Sequence, residues 1–150
     1  MKLAAKSLAL ALLATTACAG SQEKKDRNTL TQAPAGPPTC GNWVVVVERP
    51  TVAGGTYQGD AIHRAVIEGL GKEGCQALTA APTSTPAGVS ILTVSVSVSK
   101  LGDGGRVGLV ATDTSTGSVK WRLQKEIIPG GDGLGASRAI GRELARMLSG

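Results

Sequence analysis

Leu92-Thr93-Val94-Ser95-Val96-Ser97-Val98-Ser99 alternates apolar and hydroxyl-bearing side chains without a break. Successive side chains of an extended chain point to opposite faces. The alternation therefore predicts a strand with Leu92, Val94, Val96 and Val98 buried and Thr93, Ser95, Ser97 and Ser99 wet. Downstream, Gly102-Asp103-Gly104-Gly105 reads as a turn, and Val107, Leu109 and Ala111 resume the period of two. Asp113-Thr114-Ser115-Thr116-Gly117 supplies a second hairpin turn with glycine at its end. Beyond it Val119, Trp121, Leu123 and Ile127 alternate with Lys120, Arg122, Gln124 and Glu126. Together the runs predict a three-stranded antiparallel meander with one face left to solvent.

Upstream, Trp43-Val44-Val45-Val46-Val47-Glu48 is a continuous β-branched run, the pattern of a strand buried on both faces, and Pro50 is expected to end it. A helix follows, with Thr56 or Asp60 as N-cap and Ile62, Ala65, Val66 and Leu70 as its buried stripe; Gly71 and Gly74 close it behind Lys72. A short strand is expected near Cys75 to Thr79, then a proline-containing loop from Ala80 to Gly88. After the meander, a glycine-rich loop from Pro129 to Gly135 leads into a final helix with Ile140, Leu144, Met147 and Leu148 on its apolar side. The order β-α-β-β-β-β-α places the chain in the α/β (α+β) class, a mixed sheet with both helices on one face.

The N-terminus has the layout of a secretory leader: Lys2 and Lys6, an apolar run from Ser7 to Ala14, then small residues from Thr15 to Gly20. That run falls well short of the roughly 20 residues a membrane-spanning helix needs. Residues 1–19 are expected to be a signal peptide, with two cleavage readings. Leu13-Ala14-Thr15-Thr16-Ala17-Cys18 resembles a lipobox and makes Cys18 the lipidated first residue, although Thr15 stands where leucine is usual. Cleavage after Ala17-Cys18-Ala19 would instead release a soluble protein. Residues 20–39 are polar and proline-rich, a composition expected to act as a flexible tether. Residues 40–150 remain for one modest domain.

Losing Lys2 and Lys6 with the leader lowers the formal net charge from +5 to +3, a mild excess and no nucleic-acid footprint. Trp43, Tyr57 and Trp121 are the only aromatics, too few for a base-stacking platform. If Cys18 is lipidated, Cys40 and Cys75 remain as a pair in an oxidising compartment. Neighbouring parallel strands start at one sheet edge about 5 Å apart, within reach of a disulfide contributing roughly 3–4 kcal/mol. Left unbridged, Cys75 reads as a small buried hydrophobe and Cys40 as a free thiol.

The leader, the strand–helix unit, the closing helix and a meander carrying Asp113-Thr114-Ser115-Thr116-Gly117-Ser118-Val119-Lys120-Trp121 resemble a group of bacterial envelope proteins. The group includes the lipoproteins that activate penicillin-binding proteins and the curli secretion channel relatives. The resemblance spans residues 40–148 and rests on this hairpin and the order of elements around it. It implies binding or oligomerisation in the envelope rather than catalysis, and it carries no functional residue over.

Three motifs invite chemistry that their setting denies. Gly131-Asp132-Gly133-Leu134-Gly135-Ala136 has the G-x-G-x-x-A spacing of a dinucleotide loop, but the strand before it belongs to an antiparallel hairpin and no further strand follows. It reads as a linker, with anion capture at the helix start as the residue of that idea. Ser97-Val98-Ser99-Lys100 has S-x-x-K spacing, but in a strand Ser97 and Lys100 point to opposite faces. His63 is the sole histidine, so neither a triad nor a histidine-based metal site has its parts, and pairing with Asp60 is the alternative to surface decoration.

Arg138, Arg142 and Arg146 share one side of the last helix, either as a solvated face or as a contact for an acidic partner or anionic headgroups. Ser95 and Ser97, beside Lys120 and Arg122, form the preferred candidate for partner contact. The expected function is that of a non-enzymatic, lipid-anchored envelope protein, without cofactor or metal. It would face the periplasm from the outer membrane and bind another envelope protein or a second copy of itself. The alternative is a soluble periplasmic carrier of a small lipid or glycan held between helices and sheet.

Overall fold

The computed structural model describes residues 36–150. The expected signal peptide, Cys18 and most of the tether lie outside the described residues. The elements are β1 (Trp43–Val47), β2 (Thr51–Ala53), α1 (Gly59–Lys72), β3 (Ser90–Leu101), β4 (Gly104–Asp113), β5 (Val119–Ile127) and α2 (Leu134–Ser149). One mixed sheet has the order β1-β3-β4-β5, with β2 also paired to β3. β1 and β2 run parallel to β3, while β3, β4 and β5 form the antiparallel meander.

The fold class matches the expectation, but one strand sits elsewhere. Pro50 interrupts pairing and does not end it: having no N–H to give, it breaks the ladder, and the chain rejoins the edge of β3 as β2. Conversely, residues 75–79 make one parallel bridge, Leu78 to Val46, and no strand. Leu78 N–H donates to Val45 O at 2.8 Å and its carbonyl accepts from Val47 N–H at 2.9 Å, which blunts the outer edge of β1.

Val45 and Val47 register with Leu92 and Val94 on the inner face. That face continues through Val96, Val98, Val107, Leu109 and Ala111, all 3% exposed or less. Against it lie Ile62, Val66 and Leu70 of α1 with Ile140, Leu144 and Leu148 of α2, in one core cluster. Val44 and Val46 are buried on the opposite face. The chain passes from Leu78 at one edge of β1 to β3 at the other, so the loop between them crosses β1 and shields that end of the outer face.

The helices touch backbone to backbone. A Cβ on Gly69 would fall on the carbonyl of Arg138, and one on Gly141 on the carbonyl of Val66. Both glycines are buried within their helices. The apolar stripe of α2 therefore includes Ser137, Gly141 and Ala145, whereas the expected Met147 is 41% exposed on its flank. In α1 the N-cap is Gln58, not Thr56 or Asp60, and Asp60 instead stands in the first turn, where its charge suits the helix dipole. Gly71 lies inside the helix, and the chain turns at Gly74, with φ +82°. Gly74 N–H donates to Gly71 O and Cys75 N–H to Leu70 O, a Schellman closure that drives Cys75 into the core. There Cys75 meets Cys40: their sulfurs are at disulfide distance and their Cα atoms 5.2 Å apart, closing a 35-residue interval.

The three aromatic residues close the two ends of the inner layer. The rings of Trp43 and Trp121 meet edge to face with centroids 6.1 Å apart. At the other end the Tyr57 hydroxyl donates to Gly104 O at 3.2 Å, and the missing Cβ of Gly105 leaves room for it. Val119, expected inside, is 43% exposed because the β4–β5 register shifts between Ala111 and Thr112.

Candidate functional site

Strand register brings four of the sequence-derived candidates onto one outer face. Ser95 stands opposite Val110, which stands opposite Arg122; in the next row Ser97, Gly108 and Gln124 align, and beyond it Ser99, Arg106 and Glu126. Lys120 lies beside them at the register shift. Ser95, Ser97, Lys120, Arg122 and Gln124 are all exposed. Among the described residues both helices pack on the other side of the sheet, so the β3–β5 part of this face keeps these side chains in water.

The surface is locally ordered. Ser95 Oγ donates to Glu48 Oε2 at 2.7 Å, and the Thr93 and Thr114 hydroxyls are 2.6 Å apart. A Cβ at Gly108 would stand 2.9 Å from Ser97 Oγ, so glycine leaves a shallow seat beside that hydroxyl. Arg106 approaches Glu126 at 3.6 Å. Lys120 and Arg122 form no ion pair with a described carboxylate. Glu48 and Gly108 were absent from the sequence-derived set. The parity of the β-branched run places Glu48 on this face, but its bond to Ser95 depends on a register that the run alone does not set.

The other three candidates stand apart, on α2. Arg138 reaches Glu68 at 3.3 Å, while Arg142 and Arg146 reach Glu73 at 3.0 and 3.1 Å. Their charge is matched by carboxylates of α1. Exposed pairs of this kind add little stability, but they leave α2 without an open basic stripe. Hydrogen bonds from Arg142 and Arg146 hold the Glu73 carboxyl below its ordinary pKa. Asp113 is likewise lowered, first by the Ser115 hydroxyl at 2.7 Å, then by the backbone N–H groups of Ser115 and Thr116 and the nearby Lys120 charge.

A carboxyl whose native pKa lies below its unfolded value contributes fully above the unfolded value and loses that contribution as pH falls through the native one. Stability is therefore expected to decline from about pH 5 downward. A Glu73→Gln, Asp113→Asn variant should lose less between neutral and acid pH, read as a smaller shift of the urea midpoint. A wild-type acid slope in that variant would refute the assignment.

The remaining motifs resolve into architecture. The turn that carries the family resemblance is an Asx turn: Asp113 Oδ1 accepts from Ser115 N–H at 2.9 Å, and Gly117 takes φ +73°. Around the glycine-rich loop, Asp132 Oδ1 accepts from Leu134 N–H at 3.0 Å. Gly133 lies so close to Ile127 and Ile62 that it serves packing. β5, which precedes this loop, is antiparallel to its neighbour, so the setting of a dinucleotide site does not arise. Ser97 is exposed on the outer face, while Val98 and Lys100 follow the alternation of β3 so that Ser97 and Lys100 do not share a face. His63 Nε2 lies 2.9 Å from Val47 O and makes no hydrogen bond to Asp60 among the described residues. Among those residues no cluster of three metal-ligating side chains occurs, and no helix is long and apolar enough to cross a membrane.

No protein-family model matches the chain, and no curated protein matches it significantly. Solved structures with a similar chain path include a PelC dodecamer from Paraburkholderia phytofirmans, 15% identical over 78% of this chain and 94% of that one, with a TM-score of 0.47. A DUF330-family protein from Xanthomonas campestris is 15% identical over 78% of this chain and 84% of that one, with a TM-score of 0.37. At these values the functional reading rests on the chain's own residues.

Proposed function

We propose that the chain is a non-enzymatic, lipid-anchored protein of the bacterial cell envelope. In this reading its domain binds another envelope protein, or a second copy of itself, through the outer face of the sheet. The observation that carries it is the uncovered row structure of Ser95, Ser97, Gln124, Lys120 and Arg122. Its hydroxyls, amide and two unmatched cations offer directional polar contacts without an apolar patch that would aggregate. The leader and Cys18 support export and anchoring. The Cys40–Cys75 pair suits an oxidising compartment, since disulfides are rare in the cytosol. The likeness of the leader and meander to the penicillin-binding-protein activators and curli secretion relatives supports the same reading.

The carrier alternative has less room. Val94, Leu109, Ile140 and Leu144 fill the space between sheet and helices, each 1% exposed or less. An open cleft of about 500 Å³ at the rim, lined by Ile127, Ile128, Ala136 and Ala139, is where such a ligand would have to sit.

A photocrosslinking side chain placed at Ser97 or Gln124 is expected to yield discrete protein adducts in intact envelopes, and one at Arg142 to yield few. Equal yields from the two sides, or none, would overturn the assignment of the face. Native mass spectrometry of the same preparation reads the alternative as a co-purified small ligand. Intact mass of the mature protein reads the anchor, as a lipidated chain beginning at Cys18 or an unmodified one beginning at Gly20.

A further inference from the structure

The carboxyl end of β1 holds a basic recess that the sheet-face reading leaves unused. Val46 pairs in parallel with Leu78, so both chains leave the bridge in the same direction, toward Arg49 in one and Thr79 in the other. The first turns of α1 bring Asp60, His63 and Arg64 to that edge, and these five residues line one open recess of about 610 Å³.

Like Lys120 and Arg122 of the sheet face, its arginines lack the ion pairs that most other surface arginines of the described residues make. Arg106, Arg138, Arg142, Arg146, Lys72 and Lys125 each meet a carboxylate. Arg49 and Arg64 form no ion pair with a described carboxylate, although Asp60 shares the recess. Arg64 makes only a long bond, Nε to Asp60 O at 3.4 Å. His63 is fixed differently: a backbone carbonyl can only accept, so the 2.9 Å contact with Val47 O puts the proton on Nε2 and leaves Nδ1 uncommitted. Thr79 adds an exposed hydroxyl. Two guanidinium groups against one carboxylate leave the recess with a net positive charge. It lies beyond the carboxyl end of β1, beside the single parallel bridge to Leu78.

We infer that this recess binds a phosphate group, with Arg49 and Arg64 as charged donors and the Thr79 hydroxyl as a neutral one. Guanidinium groups match phosphate oxygens in geometry as well as charge. The group could arrive as free phosphate or as the phosphodiester of a lipid headgroup, and both present the same oxygens. The inference is independent of the sheet-face reading.

The test is an amide chemical-shift titration of the purified full chain with inorganic phosphate and, separately, with glycerophosphoglycerol. Saturable shifts confined to the ends of β1 and α1 and to Thr79 are expected. Each of Arg49→Gln and Arg64→Gln should weaken binding about tenfold, the scale of one charge-assisted hydrogen bond. Arg122→Gln, on the sheet face, should leave it unchanged. Tighter binding of the phosphodiester would assign the lipid source, and tighter binding of phosphate the soluble one. Shifts spread over all basic residues, or saturable shifts that survive the Arg49→Gln, Arg64→Gln double variant with an unchanged melting temperature, would overturn the site.

Discussion

Replacing Gly141 with alanine is expected to destabilise the protein by about 1–3 kcal/mol, although alanine is the better helix former by about 1 kcal/mol. The added Cβ would fall on Val66 O and lie 3.1 Å from Leu70 N, both backbone atoms that no rotamer change can move aside. The helices would have to separate, loosening the contacts of Ile140 and Leu144 with the sheet. Gly69→Ala should act in the same direction, because its Cβ meets the backbone of Arg138. Gly71→Ala and Gly135→Ala provide the contrast. They sit in the same two helices with nothing within 4 Å of the added atom, so intrinsic propensity should dominate and each should gain roughly 0.5–1 kcal/mol. Urea midpoints of the four variants check the argument. If Gly141→Ala rises with Gly71→Ala, the close seam between α1 and α2 does not exist.

That seam also marks where the sequence stops being readable. Gly69 and Gly141 look like any helical glycine in a one-dimensional pattern; what distinguishes them is a carbonyl contributed by the other helix. Strand alternation was legible because it is local: Leu92 to Val98 and Val107 to Ala111 carry their own period. Residues 75–79 and 51–53 are short, and which of them joins the sheet is decided by partners. Leu78 finds only β1 at an edge, whereas residues 51–53 are delivered beside β3 as soon as Pro50 is passed. The candidate face shows the same division. Alternation was enough to put Ser95, Ser97 and Arg122 on wet faces, but Glu48 and Gly108 enter through cross-strand register. The i, i+4 spacing of Arg138, Arg142 and Arg146 is a local pattern, while Glu68 and Glu73, which match them, lie in or just after α1 at a distance in sequence that pattern reading does not bridge.

Removing the Cys40–Cys75 pair is expected to have the larger effect, about 3–4 kcal/mol on the chain-entropy account of closing a 35-residue interval. The cross-link acts on the unfolded chain: with it in place, β1 and α1 cannot drift apart before the sheet forms. The native geometry adds little cost, since the Schellman turn at Gly74 delivers Cys75 to the core and the Cα separation of 5.2 Å lies within the ordinary disulfide range. Cys40 and Cys75 are 4% and 2% exposed, so reductant should act slowly on the folded protein and quickly once it is unfolded. A Cys40→Ala, Cys75→Ala variant leaves two small apolar side chains in place and isolates the cross-link from core polarity. Its urea midpoint should fall well below that of the oxidised wild type and lie close to that of wild type denatured and refolded under reductant. For a domain of this size each kcal/mol lost should lower the melting temperature by about 4 °C or more. Thiol titration of the denatured, unreduced chain should find neither Cys40 nor Cys75 free. Two reactive thiols there, or a variant as stable as the oxidised protein, would show that the pair is buried but unbridged. The argument for an oxidising compartment would then rest on the leader alone.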